Sequence, residues 1–258
     1  MITRADIASW SISHPWNSAH QVEQDLLLSQ AICAIGNDDY LGEELVFRGG
    51  TALHKLFLPH PYRYSEDLDY VRTTGGGIGE VSRRLTDLGK FLGYSVRTEM
   101  GKFPKVFWRF LFEDGAAGKI KIEINTFERH SAFPLQCKEL AVSNPYYQGM
   151  AKVQTYQAEE LIASKLRALY QRTKGRDLFD IWLALTVLHL DAEQIMEAFK
   201  QYTPKGLTGK MIRQNIVNKL EDDYFCTDMD LLLRDSYLTY NPYESAQLVM
   251  DVLVSKLN

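Results

Sequence analysis

The sequence predicts an α+β fold, with a sheet and flanking helices in the first part of the chain and a bundle of helices in the second. Three observations carry this. Ile120, Ile122 and Ile124 alternate with Lys121, Glu123 and Asn125, the period-2 pattern of a strand with one face on a core. After about residue 150 the pattern turns almost wholly helical. The chain has 258 residues, 45% hydrophobic and 24% charged, enough apolar side chain for one large domain or two small ones. The expected domains are 1–150 (α/β) and 151–258 (helical), with the boundary near Pro145–Lys152.

Taken in order, residues 17–36 read as an amphipathic helix ended by Gly36, a common stop signal. Val46-Phe47 is a short buried strand running into Arg48-Gly49-Gly50-Thr51. ALHKLFL is then a helix that Pro59 and Pro61 break, since proline cannot continue it. Tyr64–Val71 reads as a strand and 75–79 as a glycine-rich loop. A helix over 80–94 precedes three strands at 95–100, 105–114 and 118–127. Helices are expected at 156–172, 177–190, 191–203, 206–222 and 241–257.

Charge and composition exclude several classes. The formal charge is −4 and the pI about 5.9, so a generally basic nucleic-acid coat is absent, although a local patch is compatible with it. Lys165–Arg176 is such a stretch, with five cations and no acid. No apolar run reaches the ~18 residues that span a bilayer, and the N-terminus lacks a signal-peptide pattern. Cys33, Cys137 and Cys226 are widely spaced and form neither a disulfide framework nor a zinc pattern. A cytoplasmic protein without a membrane partner is expected.

The residues that could carry chemistry centre on GGTALHKLFLPHPYRYSEDLDYV. A Gly-Gly pair between strand and helix lets backbone N–H groups approach an anion such as phosphate. Asp67 and Asp69, two apart on a strand, share one face, and paired carboxylates repel unless a cation intervenes. Mg²⁺ takes such oxygen donors together with substrate phosphates. A lone pair of this kind is usually a solvated strand face; the combination with the glycines, about 17 residues apart, favours the functional reading. Glu123 either joins the pair, so that three carboxylates hold two Mg²⁺ ions, or pairs with Lys121 on a wet face, because the sequence does not fix strand adjacency. Ser65, one strand period before Asp67, either touches a phosphate or serves as a strand-edge hydrogen-bonder. Lys165, Arg172 and Arg176 are spaced by 7 and 4 residues, so they can share a helical face. Arg48 and Arg63 could pair with Asp67, Glu66 or phosphate, while His54 is read as a core or surface residue.

Two motifs then resemble a known family. Gly49-Gly50-Thr51-x-Leu53 followed by Arg63-Tyr64-Ser65-Glu66-Asp67-Leu68-Asp69, and later Glu159–Leu169 with Arg172 and Gly175-Arg176-Asp177-Leu178-Phe179-Asp180, are similar to the motifs of the AbiEii/AbiGii toxins, the nucleotidyltransferase-fold group that includes the MenT toxins. The resemblance spans about residues 20–190. It implies a nucleotidyltransferase-like mixed sheet, with the helical domain completing the active-site cleft. It also implies a toxin of a toxin–antitoxin or abortive-infection system, partnered by a cognate antitoxin, that moves NMP from an NTP to RNA, notably the tRNA 3′ end. Carried over, Asp67 and Asp69 bind Mg²⁺ or Mn²⁺; Glu123 is a third ligand on the reading above in which it joins the pair. Gly49, Gly50, Thr51, Ser65 and Arg176 hold the nucleotide, Lys165 reaches the triphosphate, and Asp177 orients Lys165 or acts as a base. Gly50 stands where the wider superfamily often has Ser, and Thr51 is the hydroxyl available instead. The competing reading is a catalytically inactive module of the same fold that binds nucleotide, RNA or a partner. A metal-dependent nuclease ranks last, because no Lys follows Glu123 at the D…E-x-K position.

Overall fold

The computed structural model describes residues 2–233 and 238–257, and the chain divides into two compact units, Met1–His130 with Leu135–Tyr156, and Ser131–Pro134 with Gln157–Asn258. In the first, among the described residues, seven strands form one mixed sheet. They are β1 (Leu45–Arg48), β2 (Asp67–Arg72), β3 (Ser95–Glu99), β4 (Lys105–Leu111), β5 (Ala117–Asn125), β6 (Gln136–Ser143) and β7 (Gln148–Thr155), in the order β3-β4-β5-β2-β1-β7-β6. β2 runs parallel to β5 and antiparallel to β1, and β1 is parallel to β7. The helices are α1 (Arg4–Ser11), α2 (Ala19–Asn37), α3 (Leu41–Glu44), α4 (Gly49–Leu56) and α5 (Gly79–Phe91). The α+β class and the mixed sheet agree with the sequence.

α2 begins at a capping box in which Ser18 and Gln21 bond each other's backbone N–H, satisfying two otherwise orphaned donors. Its Leu26, Leu28, Ile32 and Cys33 are fully buried. Gly36 does not end it; the helix continues one residue to Asn37. β2 alternates, with Leu68 and Tyr70 in the core and Asp67 and Asp69 on the other face. β2 is shorter than expected, starting at Asp67 rather than Tyr64, so Ser65 lies ahead of the strand.

The β6–β7 hairpin was not expected. Its turn closes with reciprocal backbone bonds between Asn144 and Tyr147, and β7 runs through the 150/151 boundary. Ala151, Val153 and Thr155 are buried while Lys152 is exposed, a period-2 signal hidden by the small Ala and the polar Thr. Thr155 Oγ1 donates to the Phe47 carbonyl at 2.8 Å, tying β7 to β1.

The second unit is helical: α6 (Ala158–Gln171), α7 (Gly175–Thr186), α8 (Ala192–Tyr202), α9 (Gly209–Lys219), α10 (Asp223–Thr227) and α11 (Pro242–Val252). α6 packs on α7 and α8, and α7 on α11, around Leu166, Phe179 and Phe199. Glu160 of α6 accepts from Ser131 Oγ and from the Ala132 and Phe133 N–H groups at 2.7–3.2 Å, and from Tyr202 Oη at 2.5 Å. That carboxylate fixes the 131–134 segment to its unit.

α5 covers β4 through one close approach. Trp108 is fully buried and donates Nε1–H to the Leu85 carbonyl at 3.0 Å. A Cβ at Gly89 would lie 2.5 Å from Trp108 Nε1. Helix propensity favours alanine over glycine by about 1 kcal/mol, but overpacking a rigid core costs about 1–3 kcal/mol. Gly89→Ala is therefore expected to lower the free energy of unfolding by up to about 2 kcal/mol net, read by urea denaturation; a stabilised variant would contradict this packing.

Candidate active site

The site is built where β1 turns into α4. Arg48, the N-cap residue, makes no side-chain cap, so the first N–H groups of α4 are left uncapped by it, and such groups favour anions. Gly49 has φ +81°, and a Cβ there would sit 2.6 Å from Asp69 Oδ2. Only glycine supplies both the backbone conformation and the space. The turn and the β2 carboxylate are thus in contact.

Strand pairing sets the rest. Asp67 lies opposite Lys121, and Asp69 opposite Glu123, which settles the adjacency that the sequence left open. Cross-strand partners share a face and neighbouring strands lie about 4.8 Å apart, so Asp67, Asp69 and Glu123 form a carboxylate cluster. Lys121 Nζ binds Asp67 Oδ2 at 2.8 Å and lies 3.9 Å from Glu123 Oε2, while Lys105 reaches Glu123 at 3.4 Å. Burial, then the charge of Asp67 and that of Glu123, push the Asp69 carboxyl above its usual range, against the pull of Arg48. Although partial burial opposes it, the bond to Asp67 and the charges of Asp67, Asp69 and Glu123 hold the Lys121 ammonium above its ordinary value. For a hard divalent cation the donor set fits, since all three groups are carboxylate oxygens. Among the described residues no three metal-ligating side chains converge closely enough to hold an ion by themselves.

Thr51 Oγ1 donates to the Asp67 carbonyl at 2.5 Å and is 2.8 Å from Ser65 Oγ. A hydroxyl has one proton, so Ser65 is the donor to Thr51. Ser65 is therefore part of the turn's internal bonding and, lying before β2, does not share the strand face of Asp67. Arg48 pairs with Glu128 at 3.2 Å rather than with Asp67 or Glu66, and the buried Arg63 donates to the Tyr64 carbonyl at 3.0 Å. His54 is buried and lines, with Trp16, Lys55, Arg63, Thr51 and Ser65, a cavity of about 200 Å³ that excludes Asp67 and Asp69.

The second unit holds a different cluster. Lys165 bonds Asp177 at 3.0 Å and Asp180 at 2.9 Å, and both carboxylates are 0% exposed. Arg172 grips Asp177 in a bidentate pair at 2.7 and 2.9 Å. Arg172, Lys165 and Arg176 do not share one helical face: α6 ends at Gln171 and Arg176 belongs to α7, where its backbone N–H donates to Asp228. Lys219 Nζ donates to the Leu169, Tyr170 and Arg172 carbonyls, capping α6; burial lowers its pKa to about 8, against the pull of Asp177. Sequence reading gave Lys121 only as a partner of Glu123 and Asp180 only as part of a motif, and missed their bonds to Asp67 and Lys165. The first follows from register alone; the second was signalled by its i,i+3 spacing from Asp177.

Comparison with known proteins agrees with this architecture. The family described as nucleotidyl transferase AbiEii toxin, type IV toxin–antitoxin system, matches residues 33–239. MenT4, a nucleotidyltransferase toxin from Mycobacterium tuberculosis, is similar in fold with a TM-score of 0.68 at 17% identity, over 100% of this chain and 91% of that one. JHP933 from Helicobacter pylori superposes with a TM-score of 0.56 at 19% identity, over 92% and 91%. A putative nucleotidyltransferase from H. pylori gives 0.57 at 19%, over 92% and 94%. No curated protein matches the sequence. Among the described residues no helix is long and apolar enough to cross a membrane.

Two outcomes follow from these contacts. Gly49→Ala forces a left-handed backbone on a Cβ residue and drives that Cβ into Asp69, so it is expected to destabilise by more than about 1 kcal/mol, measured by thermal unfolding; unchanged stability would refute the contact. Burial works against the Asp177 charge, but the Lys165 ammonium and Arg172 guanidinium outweigh it and hold the carboxyl below its usual range. A lowered acid stabilises the fold at pH above its unfolded value, and that contribution disappears as pH falls through its folded value. Asp177→Asn is therefore expected to cost about 3–5 kcal/mol near pH 7, with a smaller difference in acid. Denaturant titrations at both pH values check this, and a pH-independent difference would rule out the ion-pair account.

Proposed function

The chain belongs to the AbiEii nucleotidyltransferase toxin family of type IV toxin–antitoxin systems, and from that premise we propose that it transfers a nucleoside monophosphate from an NTP to RNA, at the tRNA 3′ end. The observation that carries the reading is the in-register carboxylate set Asp67, Asp69 and Glu123, with the Gly49 turn packed on Asp69. Asp67 and Asp69 would hold Mg²⁺ or Mn²⁺, with phosphate oxygens completing the coordination, as is usual for Mg²⁺. The bound cation supplies charge neutralisation of the phosphates and of the attacking hydroxyl.

The chain's own residues do the positioning. The N–H groups of Gly49, Gly50 and Thr51 at the start of α4 face the triphosphate. Thr51 and Ser65 hold the Asp67 peptide in place. The RNA hydroxyl oxygen forms a bond to the α-phosphorus, the bond to the bridging oxygen breaks, pyrophosphate leaves, and the hydroxyl proton passes to the carboxylate cluster. Catalysis is then mainly orientation and electrostatics. For the second unit taken by itself, the same proposal gives Asp177 to the orientation of Lys165, which the Lys165–Asp177 bond supports. A cognate antitoxin is the protein partner that the family implies.

Asp67→Ala and Asp69→Ala are each expected to cut transfer of label from NTP to RNA at least about a hundredfold and to remove toxicity, with the fold intact by circular dichroism. Sequencing of RNA ends after induction identifies the acceptor. Full activity in either variant would overturn the assignment; nucleotide binding by the wild type without any transfer would support the inactive module instead.

A further inference from the structure

The sheet face that carries Asp67 and Asp69 continues past them across β5, β4 and β3, and its register places unlike side chains in rows. One row runs Asp67–Lys121–Phe107–Arg97 and the next Asp69–Glu123–Lys105–Glu99. A third, one strand period away, runs Lys119–Arg109–Ser95. Strands are about 4.8 Å apart and alternate residues about 6.7 Å apart, so Phe107 stands on the strand about 10 Å from Asp67, with Arg109 and Lys119 within about 12 Å.

The third row is the informative one. Arg109 and Lys119 are both exposed and directly opposite each other. Like charges in that position oppose strand pairing, and among the described residues neither has a carboxylate partner. The Lys119 ammonium lies 5.7 Å from the centre of the half-buried Phe107 ring. Arg109 and Lys119 also line an open groove with Ser95 and Leu111. On β4 and β5 the outward charges are Lys105, Arg109, Lys119 and Lys121 against Glu123, a local excess of three positive charges on a chain whose total is −4.

We propose that this face, with Arg109 and Lys119 as the phosphate contacts and Phe107 as a stacking platform, binds the single-stranded end of the RNA acceptor and leads it to the carboxylate cluster. Cations interleaved with an aromatic ring are what an unpaired strand recognises, because each base offers a π-face and each linkage a negative charge. An acidic protein would use the cations and leave the ring unexplained. The proposal rests on the RNA reading of the function, and it names the side chains that hold that substrate.

The test measures binding without chemistry: fluorescence anisotropy of a labelled single-stranded RNA 12-mer with the full chain, no NTP present, over a range of salt. Arg109→Gln with Lys119→Gln is expected to weaken binding at least tenfold and to flatten the salt slope by about 1.4, the value for two phosphate contacts on a single strand. Its melting temperature is expected to stay level or rise, since a repulsive pair is removed. Phe107→Leu is expected to weaken binding about tenfold with the slope unchanged. NTP binding in the absence of RNA is expected to remain at the wild-type level in all variants. Unchanged RNA affinity and slope in the double variant, equal affinity for a blunt duplex, or equally effective competition by poly-glutamate would each overturn the proposal. Should the double variant label RNA as fast as wild type at subsaturating RNA, this surface fails while the transfer reaction stands. Should wild type label no RNA yet bind the 12-mer as described, the surface stands and the transfer reading fails.

Discussion

Holding three carboxylates at neighbouring positions of two paired strands is the constraint from which the first unit's chemistry follows. Two unit charges about 5 Å apart repel by roughly 3 kcal/mol at an effective dielectric near 20. The sheet meets that cost locally. Lys121 sits on Asp67, Lys105 approaches Glu123, and Asp69 responds by keeping its proton to higher pH. Register is therefore part of the site: a one-residue slip of β2 would turn Leu68 and Tyr70 outward and bury both aspartates. The buried Ile120, Ile122 and Ile124 on β5 and Leu68 on β2 hold it against that slip.

The second unit solves a similar problem differently. Asp177 and Asp180 are shut away from water, and Lys165 and Arg172 supply two positive charges for their two negative ones. Breaking such a pair by removing one partner strands a buried charge. The carboxylates on β2 and β5 are instead partly open to solvent, Asp67 being 41% exposed, and three of them face two lysines. The first cluster is open to water, whereas the second is closed and has its counter-ions built in.

Most of the architecture was legible because period-2 and helical patterns follow directly from burial. The β5 isoleucines and the Gly-Gly turn before α4 are clear examples. What the sequence hid was long-range pairing. Nothing in Glu123 or its neighbours says that β5 lies beside β2, because the connection between them runs through α5, β3 and β4. β6 and β7 escaped because Ala151 and Thr155 are weak markers of a buried face, although Lys152 alternates with them. The spacing of Lys165, Arg172 and Arg176 suggested one helix, but the chain leaves α6 after Gln171 and the three residues fall on different elements. Asp67 and Asp69 are legible from their alternation, whereas the bond from Lys121 to the first of them is visible only once the strands are paired.

The hydroxyl of Thr51 shows how backbone and side-chain roles are divided at the turn. It has a single proton, and the Asp67 carbonyl receives it. Ser65, in the segment between Pro61 and β2, donates to the same oxygen. Thr51 thereby links the start of α4 to the first residue of β2, fixing how far Asp67 stands from the helix N-terminus. A hydroxyl used in this way has no second proton for a phosphate. With glycine at position 50, the direct grip on an anion falls to the peptide N–H groups, whose directions are set by the backbone. The Gly49 φ of +81° and its contact with Asp69 fix those directions and the carboxylate together, so the first amides of α4 and the Asp69 carboxylate are placed by the same turn.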